Sequence, residues 1–565
     1  MKLLRYLSPV TTLSLLTVIS LASITTATAR PIEDNSLGAE SSVVNRNVVN
    51  GIDLITGGAT RGSNLFHSFQ EFNIDAGRGA YFSNPAGIAN ILTRVTGGNP
   101  SNILGRLGVL GNANLFLINP KGIFFGPNAS LDLRGGSFFG TTAGSVLFDN
   151  FEFSTSNPQA IPQLTINIPI GLRFRDNPAS INSNASLAVQ TGKSLALIGG
   201  DVSLNGGTLV ASGGRVEVGG LAQPGTVGFN ADGSLTFPNS VTRGNVTLGN
   251  GASLSAIGQG GSIATNGANL FTVTFGFEGE NGPANAGDIE VNTSDFVNID
   301  NSVLVSRSRG EGNAGNINIT ARSLSVTNGG QLLAETYNKG NAGNVTINAP
   351  TGTVSFDGTN NAGFPSAVFT TVEAGGEGKG GDINITANSL SLTNGAQLNT
   401  FIRGNSNRQP GGIGDAGNVK LNITDTVNIA GISNQRNSNG NFIRSGIFSN
   451  VENRARGNAG NIEIAAGSLF VTNGGRLVSS TSGQGNAGGI KINANSFVLD
   501  AAQLNTNSNI ENRQAGNIDI TTTKDIRLNN GALIKVLVVH LCPSDEVVYH
   551  LAQMMSLAVT MSASI

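Results

Sequence analysis

The chain has 565 residues, of which 12% are charged, and its 33 Lys and Arg against 35 Asp and Glu leave a net charge of −2. That is about half the usual charged share, and no broad field of either sign is available to nucleic acid or anionic lipid. With 78 Gly residues and a single Cys, Cys542, an intramolecular disulfide is excluded, and the polar character comes from uncharged Asn, Ser, Thr and Gln.

Residues 1–29 read as a secretory signal. Lys2 and Arg5 form the positive start, an apolar stretch follows from Leu13 to Ile24, and Ala27-Thr28-Ala29 supplies small residues for cleavage, so the mature chain is expected to begin at Arg30. The apolar stretch is much shorter than the ~20 residues of a spanning helix, and no later segment reaches that length. A mature chain without a transmembrane segment, soluble and outside the cytoplasm, is the expectation.

Residues 30–175 carry most of the Phe and lack the repeat found further on, which predicts a distinct N-terminal unit. Within it, NLFLINPKGIFFGPNASL (114–131) places two apolar runs around a tight turn, Asn119-Pro120-Lys121-Gly122. The order is that of a β-turn: a side-chain acceptor first, Pro with its fixed φ second, Gly last. Leu115, Phe116, Leu117 and Ile118 are apolar on both faces of a strand, and such a strand must be covered on both. His67, in LFHSF, has no second His or Cys nearby for a metal and reads as a packed histidine.

Residues 176–286 alternate apolar and polar positions, with Gly-Gly or Asn-Gly at the bends, as irregular coils of the architecture that becomes regular next. From 287 to 533 one phrase recurs: NAGDIEV, NAGNINI, NAGNVTI, GGDINI, DAGNVKL, NAGNIEI, NAGGIKI and QAGNIDI. Its Gly falls at 287, 315, 343, 381, 417, 460, 488 and 516, so four of the seven intervals are 28 residues. Each unit holds three short alternating segments. In one of them Ile317 and Ile319, then Leu324 and Val326, then Leu332 and Ala334 point to one side. Asn328-Gly329, Asn394-Gly395, Asn473-Gly474 and Asn530-Gly531 mark a corner that needs positive φ.

Three strands and three corners per unit describe one coil of a solenoid, so the predicted fold is all-β, a right-handed parallel β-helix with a capped N-terminal unit. Inward Ile, Val and Leu would form ladders along the axis, and recurrent corner Asn residues a hydrogen-bonded stack. The longer intervals then read as loops at corners: 358–366 and 433–446 after the second strand, 403–414 after the third. The first coil of such a helix exposes unpaired edges and needs a cap. A hairpin built on Asn119–Gly122 fits that cap and the strands beneath it.

Three segments, NLFHSFQEFNI (64–74), YFSNPAGIANILTRVTGG (81–98) and SNILGRLGVLGNANLFLINPKGIFFGPNASLDLRGGSFFGTTA (101–143), resemble the filamentous haemagglutinin N-terminal domain, the secretion domain of two-partner secretion exoproteins. That family's hallmark is Asn-Pro-Asn-Gly-Ile. Asn119, Pro120, Gly122 and Ile123 match it, and Lys121 replaces the second Asn. Asn90, Ile91 and Leu92 occupy the region of its other motif, Asn-Pro-Asn-Leu, without copying it. The resemblance implies export through the periplasm by a dedicated outer-membrane β-barrel transporter whose periplasmic domains recognise this region, with the chain threaded in extended form. It also implies a surface or secreted product, an adhesin with an unidentified surface or carbohydrate ligand; the alternatives are a haemolysin or toxin and, further off, a polysaccharide-degrading β-helix.

Catalysis is not expected. Asp288 and Asp382 share a repeat position that Asn316, Asn344 and Gly489 take elsewhere, which is the behaviour of solvated corner residues. GGEGKGGD (375–382) is a lone copy of a pattern that holds calcium only in tandem, and no cofactor or metal is called for. The last segment, 534–565, has a different composition, with the only Cys and two of the three His, and reads as a cap or as the product of a shifted reading frame.

Overall fold

In a computed structural model the described residues are 30–538, apart from 164–165, 176, 232, 239, 250–251, 257–261, 272–273, 280–284, 407 and 509–512, together with Ala558–Met561. The signal at 1–29 and nearly all of the tail beyond 538 lie outside them. Among the described residues there is no α-helix, only one 3-10 turn, Gly38–Glu40, and no helix is long and apolar enough to cross a membrane.

The chain winds as a parallel β-helix with three faces. The first face stacks Ile52–Gly57, Gly79–Phe82, Arg106–Val109 and Ser130–Leu133 in parallel register. The second stacks Asn64–Glu71, Asn90–Val95, Asn114–Ile118, Phe138–Thr141, Ser194–Gly199 and Arg215–Gly220. The third stacks Ser101–Ile103, Ile123–Phe125, Ile181–Ser183, Val202–Asn205 and Val246–Gly249. In the regular region faces two and three merge into long bent strands such as Ile289–Asp300, Ile383–Thr393 and Ile490–Asp500.

One inward column can be followed through almost the whole molecule. It passes from Leu65 through Ile91, Leu115, Phe138, Leu195, Val216 and Ile263 to Ile289, each in register with the next. From there it continues through Ile317, Val345, Ile383, Val419, Ile462 and Ile490 to Ile518. All of these side chains belong to one apolar core, and each fully buried aliphatic contributes roughly 1.5–3 kcal/mol. The predicted alternation is borne out in the first two segments, where Ile317, Ile319, Leu324 and Val326 are buried while Asn318 and Ser325 are not; in the third, Leu332 and Ala334 join the core as expected, but Leu333 and Glu335 are buried as well.

Two corner devices hold the coils at their spacing. Asn328, Asn394, Asn473 and Asn530 take φ of 50°, 53°, 50° and 48°, as the Asn-Gly corners require. At the other corner the motif Gly-Asn-Ala-Gly-Asn places Gly on Gly. A Cβ at Gly343, Gly417 or Gly488 would overlap the carbonyl oxygen of Gly315, Gly381 or Gly460 in the preceding coil. The Asn side chains form the expected stack. Asn313 Oδ1 accepts from the Asn341 amide at 2.8 Å, Asn316 Oδ1 from Asn344 at 3.0 Å, and Asn344 Oδ1 from Asp382 at 2.8 Å. Each such bond is worth about 1 kcal/mol net. The long intervals are corner insertions: 358–366 closes through a Thr359–Pro365 bridge, and 433–446 contributes an antiparallel pair, Ile432–Arg436 with Phe442–Arg444.

The cap lies elsewhere than the sequence suggested. Asn114–Ile118 and Ile123–Phe125 do not pair with each other, so Asn119–Gly122 is no hairpin. It is the corner between faces two and three of an early coil. The edge of the first coil is instead closed by antiparallel strands: Ile32–Glu33 and Ala59–Arg61 lie against Asn64–Glu71, and Ser42–Val49 against Ile52–Gly57. A local Asn-Pro-Lys-Gly turn is compatible with either reading, since turn chemistry fixes the bend and not the partner of the strands it joins.

The apolar outer sides of the early second-face strands are covered by a separate five-stranded antiparallel sheet. It is built from Glu152–Ser154, Ser145–Leu147, Gly171–Phe174, Gly225–Phe229 and Leu235–Thr236, in two excursions from the helix. Phe66, Leu92, Phe116 and Ile118 on the coils and Val146, Phe153, Leu172, Phe174 and Val227 on the sheet form a second core. Phe66 meets Phe153 edge-on at 4.9 Å, and Phe116 stacks on Phe139 at 4.5 Å. At the far end Leu533–Val538 pairs in parallel with Gln503–Ser508, and Ala558–Met561 with the strand Ile518–Asn529.

Two outcomes follow from this packing. Gly488→Ala places a methyl group against backbone that cannot yield and should lower stability by about 3 kcal/mol, whereas its neighbour Gly489→Asn installs the residue found at 316, 344 and 461 and should be tolerated; paired thermal denaturation decides. His67 is fully buried under the cap, 3.1 Å from Ser42 Oγ, and burial lowers its imidazole to about 3. The unfolded chain takes up the proton near pH 6.5 and the folded one does not, so stability is present above 6.5 and falls by about 1.4 kcal/mol per pH unit toward 3. Acid titration of unfolding should show that fall in the native chain and its loss in His67→Leu.

Candidate functional site

The turn is built by its first residue. Asn119 is fully buried; its Oδ1 accepts from the Lys121 amide at 2.9 Å, and its Nδ2 donates to Asn99 O and Ser101 Oγ at 3.0 Å each. Its backbone amide donates to Thr141 O at 2.9 Å, and its carbonyl accepts from the Gly122 amide at 3.1 Å, closing the turn. Side chain and backbone of this one residue therefore tie three successive coils at one corner. Gly122 has φ +118°, a value that L side chains rarely adopt, and Ile123 points into the main core. Of the five motif residues only Lys121 is exposed, with Pro120 half-buried beside it.

These two line a cavity of about 400 Å³ between the corner and the stem of the first excursion, together with Thr96, Ser156, Arg175 and Pro178. Arg175 is held by Glu152 at 2.7 Å, while Lys121 has no ion-pair partner among the described residues. The cleft is thus cationic on one side and accessible.

Asn90, Ile91 and Leu92 lie one coil earlier on the second face, in register with Asn114, Leu115 and Phe116. Asn90 is the middle of an amide ladder: its Nδ2 donates to Asn64 Oδ1 at 3.0 Å and its Oδ1 accepts from Asn114 Nδ2 at 2.9 Å. Ile91 faces the main core and Leu92 the second one. The structure does not bring this trio to the surface with the turn; all three are buried.

Sequence reasoning passed over the residue that fastens the unit. Arg94 is 1% exposed, and its guanidinium donates to Ser68 Oγ and Ser36 Oγ at 2.9 Å and to the carbonyls of Ser154 and Gln159 at 3.0 Å. It also lies over the Phe153 ring at 4.6 Å. Burial pushes its pKa down to about 10, against the pull of Asp34. Burial of Asp34 works the other way, but hydrogen bonds from Ser36, Thr96 and Ser68 overcome it and hold that carboxyl below its ordinary value. Cap, coil and covering sheet therefore meet on one cation. Arg61 repeats the device with Glu40 and the carbonyls of Ile161 and Pro162. The available signal was an Arg in NILTRV, a strand otherwise without charge.

Asp288 and Asp382 stand in one column, separated by the coils of Asn316 and Asn344, and each gives a carboxylate oxygen to the backbone amide of the next coil at 2.6 and 2.7 Å. GGEGKGGD forms the same glycine corner as its neighbours, with Gly378 and Gly381 stacked on Gly340 and Gly343.

Residues 29–266 match the family model of the TPS secretion domain. Among solved structures, the chain is similar to the HMW1 secretion domain from Haemophilus influenzae at 15% identity and a TM-score of 0.42, over 78% of this chain and 95% of that one. It is also similar to the filamentous hemagglutinin secretion domain at 14% identity and a TM-score of 0.28, over 57% of this chain and 99% of that one. No curated protein matches. Residues 29–266 thus carry a TPS secretion domain, which indicates a two-partner secretion exoprotein that passes through the periplasm to the cell surface or the extracellular space.

Proposed function

We propose that this exoprotein is an adhesin: a stiff β-helical stalk that displays inserted loops, exported by an outer-membrane β-barrel transporter whose periplasmic domains meet the N-terminal unit, residues 30–175. The observation that supports the adhesive reading is the pair of hairpins at one corner. A side chain at Gly363 would strike the backbone of Arg436 and Asn437, so the two insertions abut, and they present Phe364 and Phe442 at 56% and 48% exposure. Exposed aromatics on rigidly based loops are what a binding surface uses, and the column beneath them is undisturbed.

For export, the accessible part of the turn is Pro120 and Lys121, above a cleft that fits an acidic side chain of a partner. Asn119, Gly122 and Ile123 shape the corner and Asn90, Ile91 and Leu92 the coil before it, so their contribution to recognition is to hold the contact in position.

Two measurements test these readings. In cells carrying the transporter, Lys121→Glu should lower the amount of protein in the medium roughly tenfold, the effect of losing about 1.4 kcal/mol of contact, without changing thermal stability; Lys121→Asn should be exported, and Asn119→Ala should lose stability as well. Native export of Lys121→Glu would remove the turn from recognition. Purified secreted chain should adhere to target cells without lysing them, less so as Phe364→Ser/Phe442→Ser; lysis would favour a toxin.

A further inference from the structure

The Gly-Asn-Ala-Gly-Asn corner does more than space the coils. Its two Asn columns flank a floor of Ala and Gly and form a groove of about 650 Å³ that runs along the helix axis past several coils. In both columns the side-chain oxygen is already engaged: Asn313, Asn341, Asn344 and Asn461 each accept from a backbone amide of the following coil at 2.8 Å. That bond fixes the orientation of each amide group and leaves its NH₂ without a partner among the described residues. In the same groove the NH₂ groups of Asn316, Asn418 and Asn458 are taken up by Asp288, Asp382 and Asp415, so its free donors are those of Asn313, Asn341, Asn344 and Asn461, on coils stacked about 4.8 Å apart.

We propose that this groove binds a neutral, linear polysaccharide lying parallel to the axis. A sugar chain offers hydroxyl and ring oxygens as acceptors at a repeat close to one coil, and donors held in place before binding lose little entropy on engagement. An extended peptide fits less well, because the backbone groups of the corner are consumed by coil stacking and the groove has no apolar pocket for side chains. An anionic glycan is disfavoured because two carboxylates, Asp382 and Asp415, line the same groove against one cation, Lys379. No aromatic side chain lines the groove, so each free amide contributes weakly and affinity accumulates over several of them. The proposal rests on the reading of the stalk as a binding surface but involves residues remote from the hairpins.

Asp already takes the ladder position at 288, 382 and 415, where its oxygen accepts the same backbone bond. Asn341→Asp/Asn461→Asp therefore keeps the stack and removes two donors. The secreted full-length chain is titrated with linear hexasaccharides of β-1,4-glucose, β-1,4-N-acetylglucosamine and α-1,4-glucose. Binding of at least one, weakened roughly tenfold in the double variant at unchanged melting temperature, is expected. No binding of any of the three by the native chain, or equal binding by the variant, overturns the proposal. If the variant loses stability, Asp382→Asn/Asp415→Asn decides: tighter binding supports the groove and unchanged binding refutes it. Cell adherence that persists without glycan binding sinks the groove alone and leaves the hairpins as the adhesive element.

Discussion

The hydrogen bond between one coil and the next is the constraint on which this molecule depends. Strands on all three faces donate and accept along the axis, so any residue that breaks the spacing disturbs its neighbours above and below. This is why Gly is stacked on Gly through Gly315, Gly343, Gly381 and Gly417, where a single methyl group would strike the carbonyl of the coil before it. It is also why Asn can be exchanged for Asp in the corner columns: both offer an oxygen to the same amide. Inward Ile, Val and Leu supply most of the free energy, but the corner residues decide that the coils stack in one register.

The first coils solve a problem the later ones do not have. A solenoid's initial edge is open, and here it is closed by antiparallel strands while a second sheet lies across the outer side of the second face. The same outward column that reads Phe66, Leu92, Phe116 and Phe139 near the start reads Asn318, Thr346, Asn384 and Lys420 further along. The change marks where covering ends and solvent begins. Arg94 fastens the covered part, since the cap, the coil and the excursion each contribute an oxygen to it, and removing any one contributor leaves a buried cation short of a partner.

Most of the fold was legible because it is periodic. Ile317, Ile319, Leu324 and Val326 show their inward face by alternation alone, Asn328-Gly329 shows its positive φ by residue type, and the insertions at 358–366 and 433–446 show themselves by lengthening an otherwise constant interval. The double burial of Leu115 to Ile118 was equally plain from composition. The identity of the cover was not, because Val146, Phe153 and Val227 come from remote segments whose short strands carry no repeat. Nor was the place of the cap: Ser42–Val49 is largely exposed and has no strong pattern. At the candidate site, the bend made by Asn119, Pro120 and Gly122 is local and readable, whereas the cleft beside Lys121 and the bonds of Arg94 to Ser154 and Gln159 exist only once distant parts of the chain meet.

The unbroken inward column has a mechanical meaning. A 28-residue unit drawn out straight spans roughly 95 Å, yet it adds only about 4.8 Å to the rod when it closes. A chain delivered end first and wound turn upon turn is therefore reeled in about twentyfold, so each finished turn takes up slack and resists being pulled back.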